Sequence, residues 1–135
     1  MTRMGAKEDL LFKDEAFAIV GAAMEVHSVL GHGSLEAAYS DAMALELTRR
    51  GIPFMREVPI ALNYKGEILS HTYRADFLIY GQIIVELKAI KAIKALGDVD
   101  RAQALHYLKA TGHSLAILAN FGAPKLDWMR LVLSA

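Results

Sequence analysis

Two strand-like runs that meet at Gly81 constrain this chain more than anything else in it: Tyr73 to Tyr80, and Gln82 to Lys88. Both alternate with the period of two expected of strands. Tyr73, Ala75, Phe77 and Ile79 are expected on one face of the first run, with Arg74, Asp76, Leu78 and Tyr80 on the other. In the second, Ile83, Val85 and Leu87 oppose Gln82, Ile84, Glu86 and Lys88, so Glu86 and Lys88 share a face. Asp76 lies five residues before Gly81 and Glu86 five after. A hairpin with a three-residue loop and glycine in the left-handed position then sets the two carboxylates on one rung. Residues so opposed have Cβ atoms roughly 4.5 to 5.5 Å apart, and like charges there destabilise the pair. A divalent cation or a proton would offset that repulsion.

The rest of the composition narrows the setting. At 135 residues the chain reads as one domain with a core of its own. A hydrophobic share of 54% against 22% charged excludes a disordered or fibrous chain. The absence of cysteine excludes a disulfide framework, a thiolate zinc site and a thiol nucleophile, and suits a reducing, cytoplasmic interior. No run approaches the roughly 18 apolar residues of a membrane span, and the N-terminal stretch lacks the apolar segment of a signal peptide. Fifteen basic and fifteen acidic residues cancel, so any binding to nucleic acid must come from a local patch.

In chain order, residues 1–13 read as a flexible lead-in and 14–135 as a single domain. Asp14 is a candidate N-cap for a helix through Leu30, with Phe17, Val20, Met24 and His27 on one buried stripe. Gly31 to Ser34 breaks it, and Ser34 is placed to cap a second helix from Leu35 to about Arg50, ended by Gly51. Pro53 to Tyr64 is expected as a strand, Lys65-Gly66-Glu67 as a turn, and the two runs above as the next strands. Lys88 to Lys94 repeats every three residues and fits a partly ordered crossover. Asp98 or Asp100 can cap a helix through Thr111 with Ala102, Leu105 and Leu108 inward. Ser114 to Phe121 reads as a buried strand, and Trp128 to Leu133 as a strand or short helix. The expected order is α-α-β-β-β-α-β-β/α, a mixed sheet flanked by helices.

Asp76, Glu86 and Lys88 are the residue types that metal-assisted phosphodiester hydrolysis needs: two oxygen ligands for a hard cation with an ammonium nearby. The pattern Asp76-x9-Glu86-Leu87-Lys88 resembles the PD-(D/E)xK nuclease superfamily, with Ala75 in place of the usual proline. Gly33-Ser34-Leu35-Glu36-Ala37-Ala38-Tyr39 resembles the signature of its GxxExxY branch. The resemblance continues through Glu57-Val58-Pro59-Ile60, through Gln103 to Gly112, and through Asn120-Phe121-Gly122.

It implies an α/β fold with a restriction-endonuclease-like αβββαβ core, a mixed central sheet and an N-terminal helical hairpin. Asp76, Glu86, Lys88 and Gln103 would be catalytic, and Glu36, Asp76 and Glu86 would hold Mg²⁺ or Mn²⁺. Tyr107 would complete a Gln-x3-Tyr pair with Gln103, and Lys91, Lys94 and Arg101 are candidate phosphate contacts. The implied substrate is nucleic acid, DNA rather than RNA, with a homodimer or a protein partner as a further expectation.

Each of these residues also has a plainer reading. Asp76 and Glu86 can be solvated carboxylates, and Lys88 a weak surface partner of Glu86. Glu36 can be a first-turn glutamate favoured by the helix dipole, Gln103 and Tyr107 an ordinary i, i+4 pair, and the lysines a solvated face. His27, His32, His71, His106 and His113 are too scattered for a zinc site. On function, the rival to a nuclease is a module of the same fold that binds nucleic acid or protein without turnover.

Overall fold

The computed structural model describes residues 11–91 and 96–133. The lead-in before Leu11 and Lys94 in the crossover therefore lie outside the described residues. Helix α1 (Lys13–Leu30) starts after Phe12, whose left-handed φ of 52° turns the chain into it. Asp14 is therefore not the cap. With Glu15 it occupies the first turn, where the helix dipole favours negative charge. Ile19, Val20, Ala23 and Val26 are buried, but Phe17 and Met24 are 82% and 51% exposed, so only half of the expected stripe faces inward. A helix lying in an outer layer needs one apolar face, not two.

Helix α2 (Glu36–Arg49) begins without a side-chain cap from Ser34. Tyr39 secures the connection instead. Its buried hydroxyl donates to the Gly31 carbonyl at 2.6 Å and accepts the Ser34 amide at 3.1 Å.

Among the described residues five strands follow the hairpin: β1 (Phe54–Tyr64), β2 (Glu67–Ile79), β3 (Ile83–Lys88), β4 (Leu115–Asn120) and β5 (Asp127–Val132), with α3 (Asp98–Thr111) between β3 and β4. They form one sheet in the order β1-β2-β3-β4-β5. β3 and β4 are parallel, joined across α3, and the other pairs are antiparallel. The fold is thus α/β, a mixed five-stranded sheet flanked by helices, and the last element is a strand. α1 and α2 cover one face over Phe77, Ile83, Val85 and Ile117. α3 covers the other over Ile84, Ala116 and Leu118. Its inward residues are Ala104, Tyr107 and Leu108, whereas Ala102 is exposed and Leu105 half-buried. The helix is rotated from the expected setting so that the large Tyr107 ring can enter the core. Gly97 is its N-cap, and Asp100 contributes from inside the first turn by accepting the Gly97 amide at 3.0 Å.

The expected alternation along β2 fails at one position. Phe77 and Ile79 pack beneath α1 and α2, but Ala75 and Tyr73 pack on the α3 side. The β1–β2 rungs run Arg56↔Phe77 and Val58↔Ala75, and the rung between them, Glu57 and Asp76, is unpaired. Glu57 has a left-handed φ of 51°. Here the ribbon changes sides, moving its apolar residues from one core to the other, with Asp76 at the crossing. The β2–β3 turn also differs in detail, since Tyr80 (φ 58°) and Gly81 (φ 69°) are both left-handed, as a tight two-centred hairpin turn requires.

The chain beyond β3 is pinned by the turn after β4. Buried Asn120 accepts the Ile90 amide at 2.8 Å and donates to the Ile90 carbonyl at 3.2 Å, while the Phe121 amide donates to the Lys88 carbonyl at 2.8 Å. At Gly122 a Cβ would lie 2.3 Å from the Ile90 carbonyl oxygen. Gly122→Ala is accordingly expected to destabilise the fold by about 1 to 3 kcal/mol or more, as overpacking against backbone does. Urea unfolding with an unchanged slope and a lowered midpoint would show it; an unchanged midpoint would contradict this close approach.

Candidate active site

The β2–β3 ladder runs Ile79↔Ile83, Leu78↔Ile84, Phe77↔Val85, and the next rung in line is Asp76 and Glu86. There the backbone pairing gives way to side chains. The Asp76 amide donates to Glu86 Oε2 at 3.0 Å, and the Leu87 amide donates to Asp76 Oδ2 at 2.7 Å. Each carboxylate caps the neighbouring strand, which satisfies buried amides as the strands part. The two acids expected on one rung are therefore brought together, crosswise.

Two helices and the end of β3 converge on this gap. From the first turn of α2, Glu36 accepts the Ala89 amide and feels the charges of both Asp76 and Lys88. From the end of β3, Lys88 Nζ donates to Gln103 Oε1 of α3 at 3.4 Å and lies 4.0 Å from Asp100 Oδ1. Tyr107 neighbours Gln103 and feels the charges of Glu86 and Asp76, so both members of the Gln-x3-Tyr pair lie beside this gap. On the α2 side, Glu36, Asp76 and Leu87 line a cleft of about 360 Å³ together with Ser40, Arg56 and Arg74.

The electrostatics follow from crowding acids in a half-buried place. Burial, then the Asp76 charge, pushes the Glu86 carboxyl up to about 7, against the hydrogen bonds from Tyr73 and the Asp76 amide and the Lys88 charge. Burial raises Asp76 as well, opposed by the Leu87 amide and Lys88. Glu36 is raised by burial and by Asp76. Carboxylates whose pKa values are raised by burial and by a neighbouring acid form a site that a cation would relieve. The donor set of hard oxygens, Glu36 and Asp76 in one cleft with Glu86 beside them, suits Mg²⁺ or Mn²⁺. Among the described residues, though, no three acids or histidines stand grouped closely enough to hold an ion. One of the three acids would have to turn toward the other two.

Other expectations fare differently. Lys91 and Arg101 are exposed and do not line the cleft. His27 is committed to the fold, with Nε2 2.8 Å from the Ala123 carbonyl. Sequence does not single out three residues beside this gap. Parity places Tyr73 on the opposite face, Asp100 reads only as a cap, and Arg74 reads only as a strand residue. The left-handed Glu57 that reverses the parity carries no local sequence signal such as glycine or asparagine.

No curated protein matches this chain. The crystal structure of SSO0001 aligns over 90% of this chain and 78% of its own, with 17% identity and a TM-score of 0.53, a likeness of fold. A family profile described as the PD-(D/E)XK nuclease superfamily matches residues 13–131. That span takes in every strand of the sheet but the last residue of β5, together with Glu36, Asp76, Glu86 and Lys88. The chain belongs to the PD-(D/E)XK nuclease superfamily.

Proposed function

We propose that this domain is a divalent-metal-dependent nuclease of the GxxExxY branch, cutting phosphodiester bonds in nucleic acid, DNA rather than RNA, in a cytoplasmic setting. The observation that carries the reading is the crosswise pairing of Asp76 and Glu86 where β2 and β3 separate, with Glu36 and Lys88 brought to the same gap. Glu36, Asp76 and Glu86 would hold Mg²⁺ or Mn²⁺, which when bound polarises a phosphoryl oxygen and acidifies water. Lys88, kept between Gln103 and Asp100, supplies a positive charge to the phosphate and orients the attacking water. Gln103 fixes the Lys88 ammonium. Arg74, whose hydrogen bond to the Glu57 carbonyl is long at 3.4 Å, is well placed for a neighbouring phosphate, whereas Arg56 is already paired with Asp41 at 2.9 Å. With no net charge to spread over a long duplex, a second copy or a protein partner extends the contact.

Incubation of linear, circular and single-stranded DNA, and of RNA, with Mg²⁺ or Mn²⁺ tests this. Cleavage is expected with the ion, none with a chelator, and none by Glu86→Ala. Equal cleavage by that variant would refute the assignment. One observation favours a second reading: the described acids are not gathered into a three-ligand group. A module that binds nucleic acid without turnover would show salt-dependent DNA binding and no cleavage with any divalent ion.

A further inference from the structure

Glu86 is 6% exposed and sits on the α3 side of the sheet, where two tyrosines meet. The Tyr73 and Tyr107 rings stack with centroids 3.4 Å apart and planes 16° from parallel. The Tyr73 hydroxyl lies within interaction range of the Glu86 carboxylate and of the Tyr107 hydroxyl. Tyr107 in turn neighbours Gln103, whose Oε1 accepts from Lys88 Nζ at 3.4 Å. Glu86 and Lys88 are two residues apart on β3, so the contacts close on themselves.

We infer that Tyr73 is a positioning residue: its hydroxyl fixes the Glu86 carboxylate and, through Tyr107 and Gln103, locks it in register with the Lys88 ammonium in one hydrogen-bonded ring. This deepens the nuclease reading and rests on it. The physical need is plain. A buried carboxylate with one oxygen on the Asp76 amide can still pivot about that bond, and a second, fixed donor stops the pivot. Tyr73 can act as that donor because its ring is held flat against Tyr107. It reaches the α3 side only because the ribbon changes faces at Asp76. Partners that orient metal-binding carboxylates matter nearly as much as the ligands, and their loss costs about 10- to 100-fold in metal affinity or activity.

Tyr73→Phe removes the hydroxyl and keeps the stacked ring. Three measurements on the full chain then decide the matter: a Mn²⁺ titration by calorimetry without nucleic acid, kcat and KM for Mn²⁺-dependent cleavage, and the metal-free melting temperature. The expected result is Mn²⁺ affinity about 10-fold weaker and kcat down about 10- to 100-fold. KM should stay within about twofold and the metal-free melting temperature nearly unchanged, because the ring still packs. Tyr107 links Tyr73 to Gln103, so Tyr73→Phe combined with Gln103→Ala should be non-additive in kcat by at least about twofold. Parental Mn²⁺ affinity and kcat in Tyr73→Phe overturn the inference, as does a lowered melting temperature with an unchanged titration. Strict additivity overturns the ring. A parent protein that neither binds Mn²⁺ nor cleaves overturns the nuclease reading itself, and the inference with it; this outcome is distinct from a working parent whose Tyr73→Phe form works equally well.

Discussion

Lys88→Ala protein is expected to cleave DNA at least about 100-fold more slowly than its parent at saturating Mg²⁺ while still folding and still binding DNA. Losses of that order follow removal of a single group that stabilises developing charge. The side chain is partly exposed, and its direct contacts are a 3.4 Å hydrogen bond and a 4.0 Å ion pair, so the metal-loaded fold loses little by its removal. On the proposed reading its contribution would therefore be concentrated in the reaction. Lys88→Arg is expected to restore little, since a planar guanidinium cannot place a point charge between Gln103 and Asp100 as an ammonium does. Single-turnover cleavage beside a filter-binding titration separates the two effects. A Lys88→Ala rate within threefold of the parent would remove Lys88 from the chemistry.

The second large effect is on stability without metal. Glu86 has a carboxyl pKa of about 7 in the folded chain against 4.5 for the free side chain. Between those values the folded state binds the proton and the unfolded state has lost it, so unfolding releases protons and stability falls as pH rises. The stabilisation is complete below about pH 4.5 and gone above about pH 7. Asp76 and Glu36 are shifted in the same direction and add to the trend. The Glu86 shift alone corresponds to a few kcal/mol in order of magnitude. The melting temperature of chelator-treated protein is thus expected to be higher at pH 5 than at pH 8 by roughly 5 to 15 °C. Glu86→Gln should flatten most of that slope, and Mn²⁺ at pH 8 should recover much of the loss by binding only the folded form. A melting temperature that rises between pH 5 and pH 8 without metal would show that the acids are not crowded as described.

Much of this site was readable in advance because it depends on local rules. Strand parity put Glu86 and Lys88 on one face, loop length put Asp76 opposite Glu86, and helix spacing put Gln103 beside Tyr107. Each was met in the structure. Helix ends were read less well. Asp14 and Ser34 have the chemistry of caps, yet Phe12 and Leu35 hold those positions because tertiary contacts, notably the Tyr39 hydroxyl, fix the connections. Tyr73 was out of reach for a different reason. Parity propagates along a strand only while the strand stays regular, and one left-handed glutamate on the neighbouring strand was enough to reverse it. The Asn120-Phe121-Gly122 run was matched as a pattern, but its purpose emerges only from contacts with Ile90 and Lys88, some 30 residues earlier.

The change of sides at Asp76 has one more effect. A strand residue normally answers to a core: its size and polarity are constrained by what it packs against. Asp76 sits where β2 passes from one core, at Phe77, to the other, at Ala75. Exchanging it for asparagine deletes a charge while an oxygen remains to receive the Leu87 amide, and no wall of either core is thinned. On the proposed reading, the scaffold and the metal-binding carboxylate are thereby separately variable. Asp76→Asn would then give a silenced form of the domain, intact in shape.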